Sequence, residues 1–225
     1  MSAAVFEYLG NTGDRDKVMA IVQFLPMALA GPANDAGCIA LSKSLKSLSS
    51  MADGYRAITR LALLFNALSK PTLEALSKPK GDVLLDRVDQ LSHFFHVCFC
   101  FFENTAVLSS HNVYPNRFVR LGGCAVTCWF YTLMLGLMRQ AYVMTQKKNT
   151  PEEQKRQMIT TVKLGCFLIF SLTCFPKGGP QLLEDVNGPL VPLHKTLQLI
   201  APKHLALNET IRGVLGFIAS MCDFY

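Results

Sequence analysis

Cysteine and histidine are the residue types in this chain whose spacing could bind a metal. The candidates lie in apolar runs: Cys98, Cys100, Cys124, Cys128, His93 and His96. A zinc site needs ligand pairs at set spacing, and neither cysteine pair has the two-residue gap of a CxxC motif or a second pair to join it. Histidines three residues apart on one helix are usually satisfied by water or backbone instead. The sequence therefore predicts buried free thiols, no metal and no cofactor.

Motifs for catalysis are also missing from the sequence. It has no Gly-rich phosphate loop, no GxSxG and no HExxH. Its acidic residues never form an isolated pair in an apolar setting, which general acid-base work requires. The chain is therefore predicted not to be an enzyme.

Basic residues beside an apolar stripe offer a different chemistry, the binding of anionic head groups. The segment 41–61 reads LSKSLKSLSSMADGYRAITRL. At about 100° per residue, six of its positions fall within one arc: Leu41, Leu45, Leu48, Ala52, Tyr55 and Thr59. Arg56 and Arg60 lie toward the edge of this arc, where their stems could cover apolar material while their charges reach phosphates. A helix in a soluble bundle has the same spacing, so the segment alone leaves both alternatives open.

The composition favours a membrane partner. Of the 225 residues, 50% are hydrophobic, which is a high fraction for a soluble protein. Only 17% are charged, which is a low fraction for a soluble protein. The net charge of +6 is spread along the chain, with one Trp and no arginine-rich block, so nucleic acid is a poor candidate. Anionic lipid fits this pattern better.

The amino-terminal half predicts two helices before any membrane segment. The first runs from about Asp14 to Ala30, and the sequence Gly31-Pro32 should end it. The amphipathic helix follows over about 36–68, and a loop containing Pro71 comes after it.

Strongly apolar segments begin after residue 88. The segment Leu91–Leu108 is a membrane-embedded or core helix rich in aromatic residues, with Glu103 as its formal charge. The segment Leu121–Met138 has eighteen residues without a charge and is the best transmembrane candidate. Thr150-Pro151 marks the start of a further helix that continues to Phe175.

The carboxyl-terminal segment Thr210–Tyr225 carries small residues on neighbouring helical faces. These residues are Gly213, Gly216 and Ser220. Small residues let helices approach closely in lipid, so this face is the predicted oligomerisation contact. The part Thr210–Cys222 would cross a membrane only if it were extended or tilted by its neighbours, and it could instead be an interfacial helix.

These elements predict an all-α, membrane-associated helical bundle with an amphipathic N-terminal helix and two or more hydrophobic membrane segments. We divide it into an N-terminal helical region, 1–87, and a membrane-embedded region, 88–225. The second region contains a basic loop at 139–163 and a C-terminal hydrophobic helix.

Several segments together resemble the peroxin-11 family of peroxisomal membrane elongation proteins, including its glycosomal branch in trypanosomatids. The resemblance rests on GDRDKVMAIVQF near the start, the basic amphipathic helix, FFEN at 101–104 and GVLGFIASMCDFY at the end. These segments follow the family's order over nearly the whole chain. The sequence departs from the family pattern in three ways. Asp14 interrupts the family's Gly-Arg-Asp-Lys, Glu103 replaces the usual Asp, and Thr105 and Ala106 stand where a Trp often follows.

The resemblance implies a peroxisomal or glycosomal membrane protein with both ends in the cytosol. Such a protein elongates the membrane before division, self-associates and works beside fission proteins of the dynamin-related class. Under this interpretation the stripe inserts as a wedge in one leaflet, and Lys43, Lys46, Arg56 and Arg60 hold anionic head groups.

Two alternatives stay open. Ionisable groups in or beside apolar segments, such as Glu103, His93 and Arg120, are costly unless they are functional, and they suggest a metabolite channel. A soluble helical bundle that uses its stripe for a partner protein would have to hide Leu121–Met138 in its core.

Overall fold

The computed structural model describes residues 12–78, 81–146, 150–177 and 190–225, and all of its regular structure within these ranges is helical. The described residues form eight α-helices: α1 (Thr12–Asp35), α2 (Ile39–Ala67), α3 (Lys70–Ser77), α4 (Val83–Ser110), α5 (Gly122–Gln146), α6 (Pro151–Cys174), α7 (Leu190–Ile200) and α8 (Glu209–Met221). Short 3-10 turns, Asn116–Leu121 and Cys222–Phe224, precede α5 and follow α8. The all-α prediction is confirmed.

Helix α1 is longer than the sequence predicted. The expected break at Gly31-Pro32 was wrong, because the helix contains both Pro26 and Pro32 and ends only after Asp35. The turn comes at Gly37, whose φ of +78° is one that glycine adopts without strain. There the Cys38 amide donates to the Ala33 carbonyl oxygen at 2.9 Å, a bond of the kind that closes helix ends.

The chain forms two compact units, and neither is continuous in sequence. The first takes the described parts of 1–59, 151–170 and 206–225, and the second takes those of 60–150 and 171–205. The division therefore differs from the two consecutive regions 1–87 and 88–225. The segment 139–163, predicted to be a basic loop, is mostly helical where the structure describes it, because α5 continues to Gln146 and α6 begins at Pro151. Glu152 and Glu153 in the first turn of α6 stabilise this early start of the helix.

In the first unit, α1 and α8 pack antiparallel at very short range. Gly31 lies beside Thr210, Gly213 beside Ala28, and Gly216 beside the Phe24 ring. A Cβ atom at Gly213 would stand 2.2 Å from the Ala28 backbone nitrogen, so this contact needs glycine. The absence of side chains here lets the two backbones approach each other.

The Phe24 ring is also the centre of an aromatic contact between α1 and α6. It meets Phe170 edge to face with 5.2 Å between ring centroids, and Phe167 at 6.3 Å. Aromatic pairs at these distances prefer such tilted arrangements and contribute beyond the area they bury. Helix α1 is thereby held by α6 as well as by α8.

In the second unit, α4 and α5 pack against each other. Phe95 stacks on Tyr131 at 5.2 Å between centroids, and Phe99 stacks on Trp129 at 6.3 Å. The buried side chains of this core are Phe102, Leu121, Cys124, Ala125, Cys128 and Leu197. The Tyr131 hydroxyl donates to the Ile200 carbonyl oxygen at 2.7 Å, which fastens the end of α7 to α5.

Three helical stretches are long and apolar enough to cross a membrane: Val83–Ser110, Asn116–Thr145 and Pro151–Cys174. They include the two apolar segments predicted within α4 and α5. Helix α8 is not among them, since its 13 residues rise only about 20 Å against a hydrocarbon core of about 30 Å.

Candidate membrane-binding site

Helix α2 turns small and polar side chains toward α1. Ser42 and Ser49 are buried, and Ala52 is 0% exposed. The Ser42 hydroxyl donates to the Ala30 carbonyl oxygen at 2.7 Å. The side of α2 that contacts the rest of the first unit is therefore not its apolar side.

Five large apolar side chains of α2 lie on a different side of the helix and are exposed. We call this set the α2 stripe: Leu41, Leu48, Met51, Tyr55 and Ile58. Met51 is 65% exposed and Ile58 is 62% exposed. A helix that belongs to a soluble core buries such residues and exposes its serines. The distribution in α2 is the reverse, as expected of a surface that meets lipid or another apolar partner.

The structure separates the six residues of the predicted arc. Leu41, Leu48 and Tyr55 lie in the exposed stripe, whereas Ala52 is buried and Leu45 and Thr59 are half-buried. Sequence reasoning missed Met51 and Ile58, although the size of their side chains was a usable signal. The apolar positions that face α1 are small, and the large ones mark the free side.

Arg56 does not point to solvent, because it enters a polar network between α1 and α2. Its Nε and Nη2 donate to the two Asp16 carboxylate oxygens at 3.1 Å each, and its Nη1 donates to the Gln23 Oε1 at 2.7 Å. Gln23 in turn donates to Asp53 at 2.8 Å. A bidentate ion pair of this kind fixes the orientation of the arginine side chain and stabilises the contact between the two helices.

Arg60, which begins the second unit, is also engaged within the chain. Its Nη2 lies 3.4 Å from the Glu103 Oε1 on α4. The next residue on α4, Asn104, donates to the Leu61 carbonyl oxygen at 3.2 Å. The formal charge in Leu91–Leu108 is therefore neutralised by α2.

Lys43 and Lys46 are the exposed basic residues of the predicted set. Lys46 forms a 2.6 Å surface pair with Glu209, and both side chains are more than half exposed. Such pairs are weak and easily exchanged for another anion. At about 100° per residue, both lysines lie on the polar side of α2 and not next to the α2 stripe. Contact of these lysines with phosphates stays a prediction.

The small residues predicted for oligomerisation have a partner inside the chain. Gly213 and Gly216 face α1, and Ser220 is buried with its hydroxyl donating to the Gly216 carbonyl oxygen at 2.8 Å. The close approach expected of such a face is thus made to α1. Contact of this face with a second copy stays a prediction.

The cysteines and histidines do not form a metal site among the described residues, where no three His, Cys, Asp or Glu side chains converge. Cys98 and Cys128 share a hydrogen bond between α4 and α5. The Cys100 thiol lies 3.7 Å from the His96 Nε2 on the same helix. All eight cysteines are free thiols.

The whole chain matches one known protein family. The family is described as Peroxisomal biogenesis factor 11 (PEX11), and the match covers residues 2–225. No curated protein and no solved structure matches the chain.

Proposed function

Because this chain belongs to the peroxisomal biogenesis factor 11 family, we propose that it bends the peroxisomal membrane through the α2 stripe and so elongates the organelle before division. It is a peroxisomal membrane protein with a part in peroxisome proliferation, and its family is not a known enzyme family. The mechanism, the glycosomal branch and the partners are our proposals.

The observation that carries the mechanism is the inverted burial of α2. Leu41, Leu48 and Met51 are exposed while Ser42 and Ser49 are buried. Inserting these side chains at the boundary of head groups and acyl chains would bury their apolar surface and expand one leaflet. Lys43 and Lys46, on the exposed polar side of α2, would attract anionic phospholipid to the helix, at about 1 kcal/mol for each basic residue near the surface.

Arg56, Arg60 and Ala52, which the sequence predicted to bind lipid, are not part of the surface that we propose to insert into the membrane. The contacts of Arg56 with Asp16 and of Arg60 with Glu103 already use the two guanidinium groups. We assign Arg56 to holding α2 on α1 in the first unit, and Arg60 to holding the end of α2 against α4 in the second unit.

We place the α4–α5 hairpin across the membrane, with both chain ends in the cytosol. Its open end carries Arg87 and Arg139 and is followed in sequence by Lys147 and Lys148, while its closed end carries Arg117 and Arg120. The side with more basic residues is usually cytosolic. Helix α6 packs on α1 and would lie at the interface, so that two helices cross. Protection of only one chain end from added protease in sealed organelles would contradict this topology.

A metabolite channel is the second candidate function. Of the groups that suggested it, Glu103 is paired with Arg60, whereas the Nε2 of His93 is buried without a hydrogen-bond partner in the described part of the chain. That unsatisfied atom is the observation in its favour. If the pure protein produces no ionic current across planar bilayers, the channel function is excluded.

Self-association and recruitment of dynamin-related fission proteins are proposed for this chain as for its family. Crosslinking in native organelles that traps no species larger than one chain would contradict self-association.

The test of the wedge compares two neighbouring residues of α2 that differ in face. Met51→Glu and Ser50→Glu add the same negative charge to exposed positions, so the electrostatic penalty is shared. Only Met51→Glu removes apolar contact, worth about 1.5 kcal/mol or roughly tenfold in affinity. Electron microscopy of anionic vesicles should show tubes with the native chain and Ser50→Glu, and spheres with Met51→Glu. Equal tubulation by both variants would overturn the proposal.

A further inference from the structure

A groove in the first unit, between the start of α6 and the end of α8, has no role in the wedge. It has a volume of about 630 Å³ and is lined mainly by apolar side chains, including Met158, Ile159, Val162, Phe217, Ile218 and Met221. This volume is typical of sites that take small molecules or lipids and is of the size that one apolar chain can fill. Four of these side chains are exposed: Met158, Val162, Ile218 and Met221.

The groove is a built feature, because side-chain contacts hold its two walls. Lys163 on α6 forms an ion pair and a hydrogen bond with Asp223, just beyond α8. The ammonium of Lys155 lies 6.0 Å from the centroid of the Tyr225 ring. Further along the same two helices, the Arg212 guanidinium lies 5.6 Å from the Phe170 ring. The Lys163–Asp223 and Lys155–Tyr225 contacts therefore join the two walls at the groove.

The charge of the groove favours an anionic occupant. Among the side chains that line the groove, that of Lys155 carries a formal charge, and the exposed Arg156 follows it in sequence. Neither side chain forms an ion pair with a carboxylate in the described part of the chain, and the carboxylate of Asp223 is occupied by Lys163. A cation next to an apolar channel, with Tyr225 beside it, is how membrane-interface sites recognise a phosphate above an acyl chain.

We propose that this groove binds an anionic phospholipid, with one acyl chain between α6 and α8 and the phosphate at Lys155. The site is distinct from the α2 stripe and stands without it. It rests on the chain being a membrane protein, which supplies phospholipid at high local concentration. A bound lipid would fill the gap between the two helices and support the α1–α8 contact from the other side of α8.

The test uses matched substitutions in one helix. Ile218 and Ile211 lie two turns apart on α8 with similar exposure, 41% and 45%, but only Ile218 lines the groove. Ile218→Trp fills the groove, and Ile211→Trp adds the same ring outside it. For charge, Lys155→Gln is compared with Lys70→Gln on the exposed helix α3. All four are made on the full chain in the Met51→Glu background, so that lipid held by the stripe is not counted, and circular dichroism confirms that each folds.

Lipid binding is measured by native mass spectrometry from detergent, with dioleoylphosphatidylserine, dioleoylphosphatidylcholine and oleate as probes. We expect the reference chain to prefer phosphatidylserine over phosphatidylcholine by about fivefold, and Lys155→Gln to remove that preference. Ile218→Trp should lower the affinity for both phospholipids at least about tenfold, while Ile211→Trp and Lys70→Gln change little. Equal binding of the two phospholipids to the reference chain, or unchanged binding to Ile218→Trp, would overturn the site. Tighter binding of oleate than of phosphatidylserine would indicate that the groove binds free fatty acids and would contradict the proposal that its ligand is a phospholipid.

Discussion

Gly213 on α8 lies against the main chain of Ala28 on α1, so close that a Cβ atom on Gly213 would stand 2.2 Å from the Ala28 nitrogen and 2.6 Å from its Cα. The neighbouring atoms are backbone, which cannot rotate aside as a side chain can. The contact therefore fixes both the identity of residue 213 and the spacing of the two helices.

Gly213→Ala is expected to destabilise the chain by about 3 kcal/mol, because the added methyl group forces α1 and α8 apart. Gly54→Ala is the matched control, since a Cβ atom at this helical position meets nothing within 4 Å. The control should stabilise the chain by about 0.5 to 1 kcal/mol through its higher helix propensity. Thermal unfolding in detergent measures both, and equal midpoints for the two variants would contradict the close contact.

Arg56→Lys is expected to lower the free energy of unfolding by about 2 kcal/mol, because lysine cannot reproduce the two-pronged contact with Asp16 or reach Gln23 at the same time. Lys46→Gln, which breaks the exposed pair with Glu209, should cost less than about 0.5 kcal/mol. Chemical denaturation of the two variants and of Asp16→Asn gives the comparison. If Arg56→Lys costs no more than Lys46→Gln, the network is not what holds α2 on α1.

Acid should loosen the start of α4 through Asp82. This residue caps the helix, and hydrogen bonds from the Leu85 amide and the Tyr142 hydroxyl lower the pKa of its carboxyl from the ordinary value. Because the folded pKa is lowered, the stabilisation is complete above the ordinary value of 3.8 and is lost as the pH falls through the lower, folded one. Hydrogen exchange should show the amides of Leu84 and Leu85 losing protection in acid. In Asp82→Ala they should already exchange fast at pH 7, and protection that survives in this variant would exclude the cap.

Cys222 should react slowly with iodoacetamide at pH 8. Its partial burial and the neighbouring Asp223 raise the pKa of its thiol above the ordinary value of 9.0, so less thiolate is present at a given pH. Asp223→Asn should speed the reaction because it removes the negative charge, and Lys163→Gln should slow it because it removes a positive one. Mass-spectrometric mapping of the alkylated peptide follows each rate. Shifts in the same direction for both variants would contradict this electrostatic account.

Local signals in the sequence were enough to predict most helices. Pro151 with Glu152 and Glu153 marks the start of α6, and the uncharged run after Arg120 marks α5. They failed at Gly31-Pro32, where the residues disfavour a helix but packing against Thr210 and α8 keeps it intact. Tertiary contact outweighed the local preference at that point.

The site was harder to predict because its orientation depends on distant partners. The ion pair of Arg56 joins residues 40 positions apart, and that of Arg60 reaches Glu103, so nothing near either arginine reveals that it is engaged. The predicted arc included Ala52 and left out Met51, because helical spacing alone takes no account of side-chain size. In the structure Ala52 is 0% exposed, whereas Met51 and Ile58 are 65% and 62% exposed, so the large side chains mark the free apolar side of α2.

The pairing of α1 with α8 also sets an order of events during synthesis. Phe24 leaves the ribosome long before Phe167, Phe170 and Gly216, the residues that cover it in the folded chain. Throughout that interval its ring and the small residues around it have no native partner, and contacts so far apart in sequence form slowly. The first unit is therefore completed only after α8 has been made, and until then α1 exposes an apolar surface that needs shielding by a chaperone or by the target membrane.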